Sequence, residues 1–172
     1  ATVFPGEPGA RQILEDAIAL GLAGVKLHCH VQCFSADAPE VEDVARTLEE
    51  HDLPLVIHAG REPKSPAYRC DPHQICSADR TEALLRSYPK LRVCVPHLGA
   101  DEFAAYARLL ERYDNLWLDT TMALAGYFPV LDPWDLVEMR PERVLYGTDF
   151  PNLPFAWDRE LARYGDEIVA RR

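Results

Sequence analysis

Five apolar runs in this 172-residue chain each end in a side chain that can bind a metal or move a proton. They are Val25-Lys26-Leu27-His28, Leu55-Val56-Ile57-His58, Val93-Cys94-Val95-Pro96-His97, Leu116-Trp117-Leu118-Asp119 and Val144-Leu145-Tyr146-Gly147-Thr148-Asp149. Neutral imidazole and carboxylate are good ligands for zinc and similar ions, and catalytic zinc typically keeps three protein ligands and a water. The metal lowers the pKa of that water and polarises a carbonyl. A nearby histidine can then shuttle the proton. His58, His97 and Asp149 would supply this chemistry if their strand ends converge. Taken singly, each is equally well an ordinary hydrogen-bonded residue at a strand end. Five in register point to parallel strands presenting their C-terminal ends to one shared site.

Neighbouring residues extend the set. Lys26 and His28 share one face of their strand, because alternate residues point the same way. His28 is thereby placed to contact substrate. Lys26 has the plainer reading of a lysine paired with a carboxylate, since a buried lysine usually needs a partner. Asp119, followed by two threonines, could touch the site or cap the following segment, and the structural role is preferred. His51, after two glutamates at a helix end, reads as a surface residue. Arg61, Lys64, Arg69 and His73 lie in the stretch that follows His58. Arginine pairs well with carboxylates, so Arg61 is a candidate for binding an acidic substrate, with a solvated loop as the alternative. Cys70-x2-His73-x2-Cys76, together with Cys29-x3-Cys33, offers a structural zinc site, although the spacing is not that of a standard zinc knuckle.

The elements that must position these residues alternate regularly. Thr2 to Phe4 reads as the end of a strand closed by Pro5-Gly6. Helices are expected over 11–22, 39–51, 77–88, 100–113, 132–139 and 158–164. Val41, Val44, Ala45 and Leu48 repeat at i, i+3, i+4 and i+7, the signature of an amphipathic helix. Ser77 is placed to cap the third helix and Pro89 to stop it. Between the helices fall strands at 25–28, 54–58, 91–95, 116–119 and 144–146. The connection from Ala59 to Cys76 is longer than a plain loop and more often functional. Strands alternating with helices imply an α/β fold with a parallel sheet.

Bulk properties limit the function. The chain is 48% hydrophobic and 27% charged, an ordinary composition for one well-buried core. A net charge of −10 argues against a nucleic-acid binder, which must neutralise phosphates with clustered lysine and arginine. No apolar run approaches the ~20 residues of a membrane helix, and no leader pattern opens the chain. Five cysteines, an odd number, suit reduced thiols in a cytoplasmic protein. No Gly-rich phosphate loop is present to support a nucleotide binder.

The runs GVKLH, LPLVIHAG, VCVPHLG and VLYGTDFP, in that order and spacing, resemble the amidohydrolase-related family of metal-dependent TIM-barrel hydrolases and decarboxylases. There they correspond to strands four, five, six and eight. The resemblance implies a (β/α)8 barrel of which this chain covers roughly strands three to eight, as a single domain over 1–172 that is incomplete at both ends. It implies that His58 is a metal ligand, that His97 is a ligand or the proton shuttle, and that Asp149 binds the metal or its water and acts as base. In some relatives a lysine placed like Lys26 is carboxylated and bridges two metals. The His-x-His pair of the family's first strand would lie upstream. In a compact variant His28-Cys29-His30 would be that pair, but its flanking run fits the fourth strand better.

The expectation is thus a divalent metal, zinc first and manganese second. The reaction is hydrolysis of an amide, ester or lactone of a small substrate by metal-activated water. The rivals are non-oxidative decarboxylation of a small aromatic or unsaturated acid, and a non-catalytic remnant or structural α/β module. The apolar edges of a partial barrel would favour a homo-oligomer.

Overall fold

The computed structural model describes residues 1–126, 139–151 and 156–165. Five strands form one sheet: β1 (Val25–His28), β2 (Leu55–His58), β3 (Val93–Val95), β4 (Leu116–Asp119) and β5 (Val144–Leu145). Each pairs in parallel with the next, in the order β1-β2-β3-β4-β5. The helices described are α1 (Ala10–Ala19), α2 (Cys29–Gln32), α3 (Glu42–Glu50), α4 (Pro72–Ile75), α5 (Ala78–Ser87), α6 (Phe103–Arg112) and α7 (Trp157–Arg163). A doubly wound sheet reverses its strand order at a switch point. Here every new strand is added on the same side of the last, as in a barrel. The sheet is an arc of a (β/α)8 TIM barrel.

The pleat sorts side chains between two faces. Val25, Leu27, Leu55, Ile57, Leu116 and Leu118 are buried, and they belong to the same core as Leu14, Val44, Leu48, Leu84, Leu85, Phe103 and Leu110 of the helices. Each such leucine or isoleucine contributes about 2 kcal/mol on burial. The alternate residues Lys26, His28, Val56, His58, Trp117 and Asp119 take the opposite face. Register then fixes the site. Val25 pairs with Leu55, so His28 must pair with His58. A slip of either strand by one residue would send its imidazole to the helix side.

Element ends differ from the sequence reading for local reasons. The first helix stops at Ala19 rather than running to Leu22, because Gly21 takes a left-handed conformation at φ 84. The Leu22 N–H then donates to Ala17 and the Gly21 N–H to Ile18, a Schellman stop. Pro39–Val41 form a 3₁₀ turn before α3. Helix α6 starts at Phe103, since Leu98 to Ala100 have positive φ. Ser77 caps α5 as expected, accepting from the Arg80 N–H. Thr2 to Phe4 are not a strand, although the Lys26 N–H donates to the Ala1 carbonyl at 2.8 Å. The helix expected over 132–139 lies outside the described residues except for Met139.

Candidate active site

The stagger of β1 and β2 stacks two imidazoles. His28 and His58 lie with ring centroids 4.1 Å apart and planes 15° from parallel. Directly after β1 the chain curls into α2, one turn ended by Cys33 in the left-handed region at φ 59. This turn brings the buried His30 ring edge-on to His28 at 4.4 Å and to His58 at 5.2 Å. The loop after β2 supplies Glu62. Its Oε1 lies 2.7 Å from His58 Nε2, and its Oε2 lies 3.3 Å from His30 Nε2. The Tyr68 hydroxyl donates to Oε2 at 2.8 Å and steadies the carboxylate.

The ligand atoms of His30, His58 and Glu62 all lie within 4.8 Å of one another. Three buried ring nitrogens here lack a hydrogen-bond partner: His28 Nδ1, His30 Nδ1 and His58 Nε2. The short approach of Glu62 to His58 is misaligned for a hydrogen bond, so it leaves His58 Nε2 unsatisfied. An unsatisfied buried polar atom costs about 1–3 kcal/mol, and native proteins keep few of them. Two imidazoles and a carboxylate are a donor set that suits zinc or manganese, and the orphaned nitrogens fit such an ion.

Protonation follows from burial and neighbours. Burial, reinforced by His58 and His30, pulls His28 down to about 3. Burial pulls His58 down to about 4 against the attraction of Glu62. Burial would also lower His30, but the Cys76 thiol and Glu62 outweigh it and hold it up to about 9. Burial works against ionising Glu62, yet the facing His30 and His58 rings and the Tyr68 hydroxyl hold it well below the usual carboxylate range.

The facing wall is built by β3, β4 and β5. After Pro96 the backbone runs through His97, Leu98, Gly99 and Ala100 at φ 58, 53, 84 and 55. Left-handed geometry costs a non-glycine residue about 1–2 kcal/mol, and such strain gathers at functional sites. Gly99 is required twice over, since a Cβ there would fall 2.1 Å from the Tyr106 ring. The run turns the buried His97 so that its Nδ1 meets the Thr121 carbonyl at 2.8 Å. A carbonyl only accepts, so Nδ1 carries the hydrogen and Nε2 is the basic nitrogen. Asp119 Oδ1 accepts from the His97 N–H at 3.3 Å and from the Thr121 N–H at 3.0 Å. Gly147 lets β5 close on this brace, because a Cβ there would lie 2.3 Å from Thr121 Oγ1. The chain then reaches Asp149 at φ 57.

A second brace lies behind. Glu160 of α7 is fully buried and accepts from the Leu124 N–H at 3.2 Å and the Ala125 N–H at 2.7 Å. Burial raises it to about 7, with Asp119 adding to the rise and the two N–H groups and Arg163 opposing it. The Arg163 side chain donates to the Leu124 carbonyl at 3.1 Å. Helix α7 therefore pins the turn that carries Thr121.

His28, His58, His97 and Asp149 share one cavity of about 590 Å³ with His30, Glu62, Tyr68 and Asp119. That volume suits a small molecule. Arg61 stands apart: its Nε lies 3.1 Å from Asp101 and 3.3 Å from Glu102, and it does not line the cavity. His73 turns to the Glu62 carbonyl at 3.1 Å. Cys29, Cys33, Cys70 and Cys76 do not converge on a point, since His30, His58 and Glu62 are the only such trio among the described residues. Glu62 and Tyr68 were not legible as site residues, and His30 was visible only within the less favoured His28-Cys29-His30 pair. The available cue was Glu62 standing four residues after His58.

Fold and cavity together define a segment of a TIM barrel with a metal-type His/His/Glu cluster at the C-terminal ends of its strands. The sequence profile of the amidohydrolase family matches residues 1–170, and the chain belongs to that family. No protein of curated function matches it. Among solved structures it is similar to the TIM-barrel protein Bb4693 of Bordetella bronchiseptica, at 16% identity and a TM-score of 0.72, over 99% of this chain and 64% of that one. It is similar to a 5-carboxyvanillate decarboxylase of Novosphingobium aromaticivorans solved with bound manganese, at 22% identity and a TM-score of 0.61, over 99% and 60%. A dihydroorotase of Campylobacter jejuni matches at 18% identity and a TM-score of 0.54, over 81% and 47%. The chain spans less than two thirds of each of these proteins.

Proposed function

We propose that this chain is the site-bearing part of a metal-dependent hydrolase, within a single α/β barrel domain, that cleaves an amide, ester or lactone bond in a small substrate. The observation that carries the reading is the trio His30, His58 and Glu62, with orphaned buried nitrogens beside it. These three residues would hold the ion. When bound, a zinc or manganese ion supplies Lewis acidity toward a carbonyl oxygen and lowers the pKa of water.

The chain's own residues do the rest. Asp149 accepts the proton of the attacking water. His97, its tautomer set by Thr121 with Nε2 unprotonated, takes that proton from Asp149 at Nε2 and passes it to the leaving group. His28, stacked on His58, orients the substrate. Asp119 holds His97 through the backbone rather than touching the reacting atoms. Elemental analysis of purified protein tests the binding step: about one equivalent of zinc or manganese supports it, and none in folded protein sinks it. Hydrolysis of a panel of small lactones and amides, lost in His97→Gln with metal retained, tests the chemistry.

A second reading, decarboxylation of a small aromatic or unsaturated acid, is favoured by the manganese-bound decarboxylase among the structural neighbours. In it His97 Nε2, after taking up a proton from solvent, delivers it to the carbon that loses carboxylate as carbon dioxide. Release of carbon dioxide from a carboxylate panel, with no hydrolysis of lactones, would select it.

A further inference from the structure

Four of the five cysteines surround His30, and none has a role in the proposed chemistry. Cys33 and Cys70 are far apart in sequence, yet both thiols donate to one acceptor, the His30 carbonyl, at 3.8 and 3.1 Å. Their places are fixed by backbone rather than by each other. Cys33 ends α2 in the left-handed conformation, and Cys70 stands just before Asp71, whose side chain caps α4 through the His73 N–H. Helices α2 and α4 pack together. Cys33 is exposed and Cys70 half-buried, so a small oxidant reaches both, whereas Cys29, Cys76 and Cys94 are buried.

We propose that Cys33 and Cys70 are a dithiol that closes to a reversible disulfide, stapling the loop that carries Glu62 to the helix that carries His30. The two thiols share this acceptor and also hydrogen-bond each other, so closure replaces two weak S–H donors with one covalent bond. The oxidant is a peroxide. The Cys33 thiolate attacks the O–O bond, giving a sulfenic acid and one molecule of water or alcohol. The Cys70 sulfur then displaces hydroxide from the Cys33 sulfur, and its proton leaves with that hydroxide as water. Two thiols and one peroxide become one disulfide, one water and one water or alcohol. A dithiol reductant reverses the bond. A four-cysteine metal site is disfavoured, because no three of these sulfurs come within 4.8 Å of one another.

The covalent step does not depend on what the neighbouring cluster binds, so its failure and that of the hydrolase reading are separable. The test treats the full chain with hydrogen peroxide and maps peptides under non-reducing conditions. The expected result is a Cys33–Cys70 linkage that dithiothreitol removes and that is absent from Cys33→Ser and Cys70→Ser. The oxidised wild type should also melt roughly 5–10 °C above the reduced form, and neither variant should respond. A Cys29–Cys76 linkage instead, over-oxidation of Cys33 with Cys70 left free, or no change in melting on oxidation would overturn the proposal.

Discussion

On the β1–β2 wall of the cavity, His28, His30 and His58 each bury a ring nitrogen without a hydrogen-bond partner. On the β3–β4 wall, His97 is fastened by the Thr121 carbonyl and Asp119 is occupied by two backbone N–H groups. Both walls bury histidine at strand ends, so burial alone does not separate them. Satisfaction does. Unmet nitrogens around a carboxylate describe a place prepared for a cation. A ring whose tautomer is set by backbone describes a group held ready for proton transfer.

The contrast breaks most sharply if the walls respond alike to mutation. His58→Ala and Glu62→Ala should each weaken zinc binding by more than about 100-fold, beyond the loss typical of removing a residue that merely orients a ligand. Titration calorimetry reads this. An equal loss in His97→Ala would erase the distinction, and an equal loss in Asp149→Ala would move the ion toward β5. His97→Gln should keep the metal and lose about 10²- to 10⁴-fold in turnover.

Two smaller effects sharpen the picture of the fastened wall. Asp119→Asn removes a charged acceptor from two N–H groups and should cost about 2 kcal/mol in denaturant unfolding, with little change in metal content. Glu160 gives a pH signature. Its folded value of about 7 lies above the ordinary carboxylate value, so the folded state holds the proton more tightly. That contribution is full below about 4.5 and is lost as pH rises through 7. Unfolding free energy should therefore fall between about pH 4.5 and 7 in the wild type, and less steeply in Glu160→Gln.

Much of this was readable before any fold was known. His28, His58, His97 and Asp149 stand where apolar runs stop, and parallel strands bring such ends together. Glu62 escaped, and His30 was set aside with the His28-Cys29-His30 pair, because they sit in non-repeating backbone, a long loop and a single helical turn, where no periodicity says which way a side chain points. Arg61 drew attention by its charge, but its partners Asp101 and Glu102 lie about forty residues away and meet it through an adjoining loop. Glu160 follows an aspartate and an arginine and looks like a solvated helix face, yet it is fully buried. Contacts of that range are set by topology.

The strictly sequential strand order has a kinetic consequence. Every strand pairs with the one before it, so each pairing closes a chain segment of similar length, roughly 30 residues. No early step has to wait for a distant partner. The wall of the cavity can be laid one βα unit at a time, and the stacked His28–His58 pair is complete once the first two strands meet. Loop-closure cost is then nearly uniform along the chain, which favours progressive growth of the sheet from either end over a single long-range nucleus.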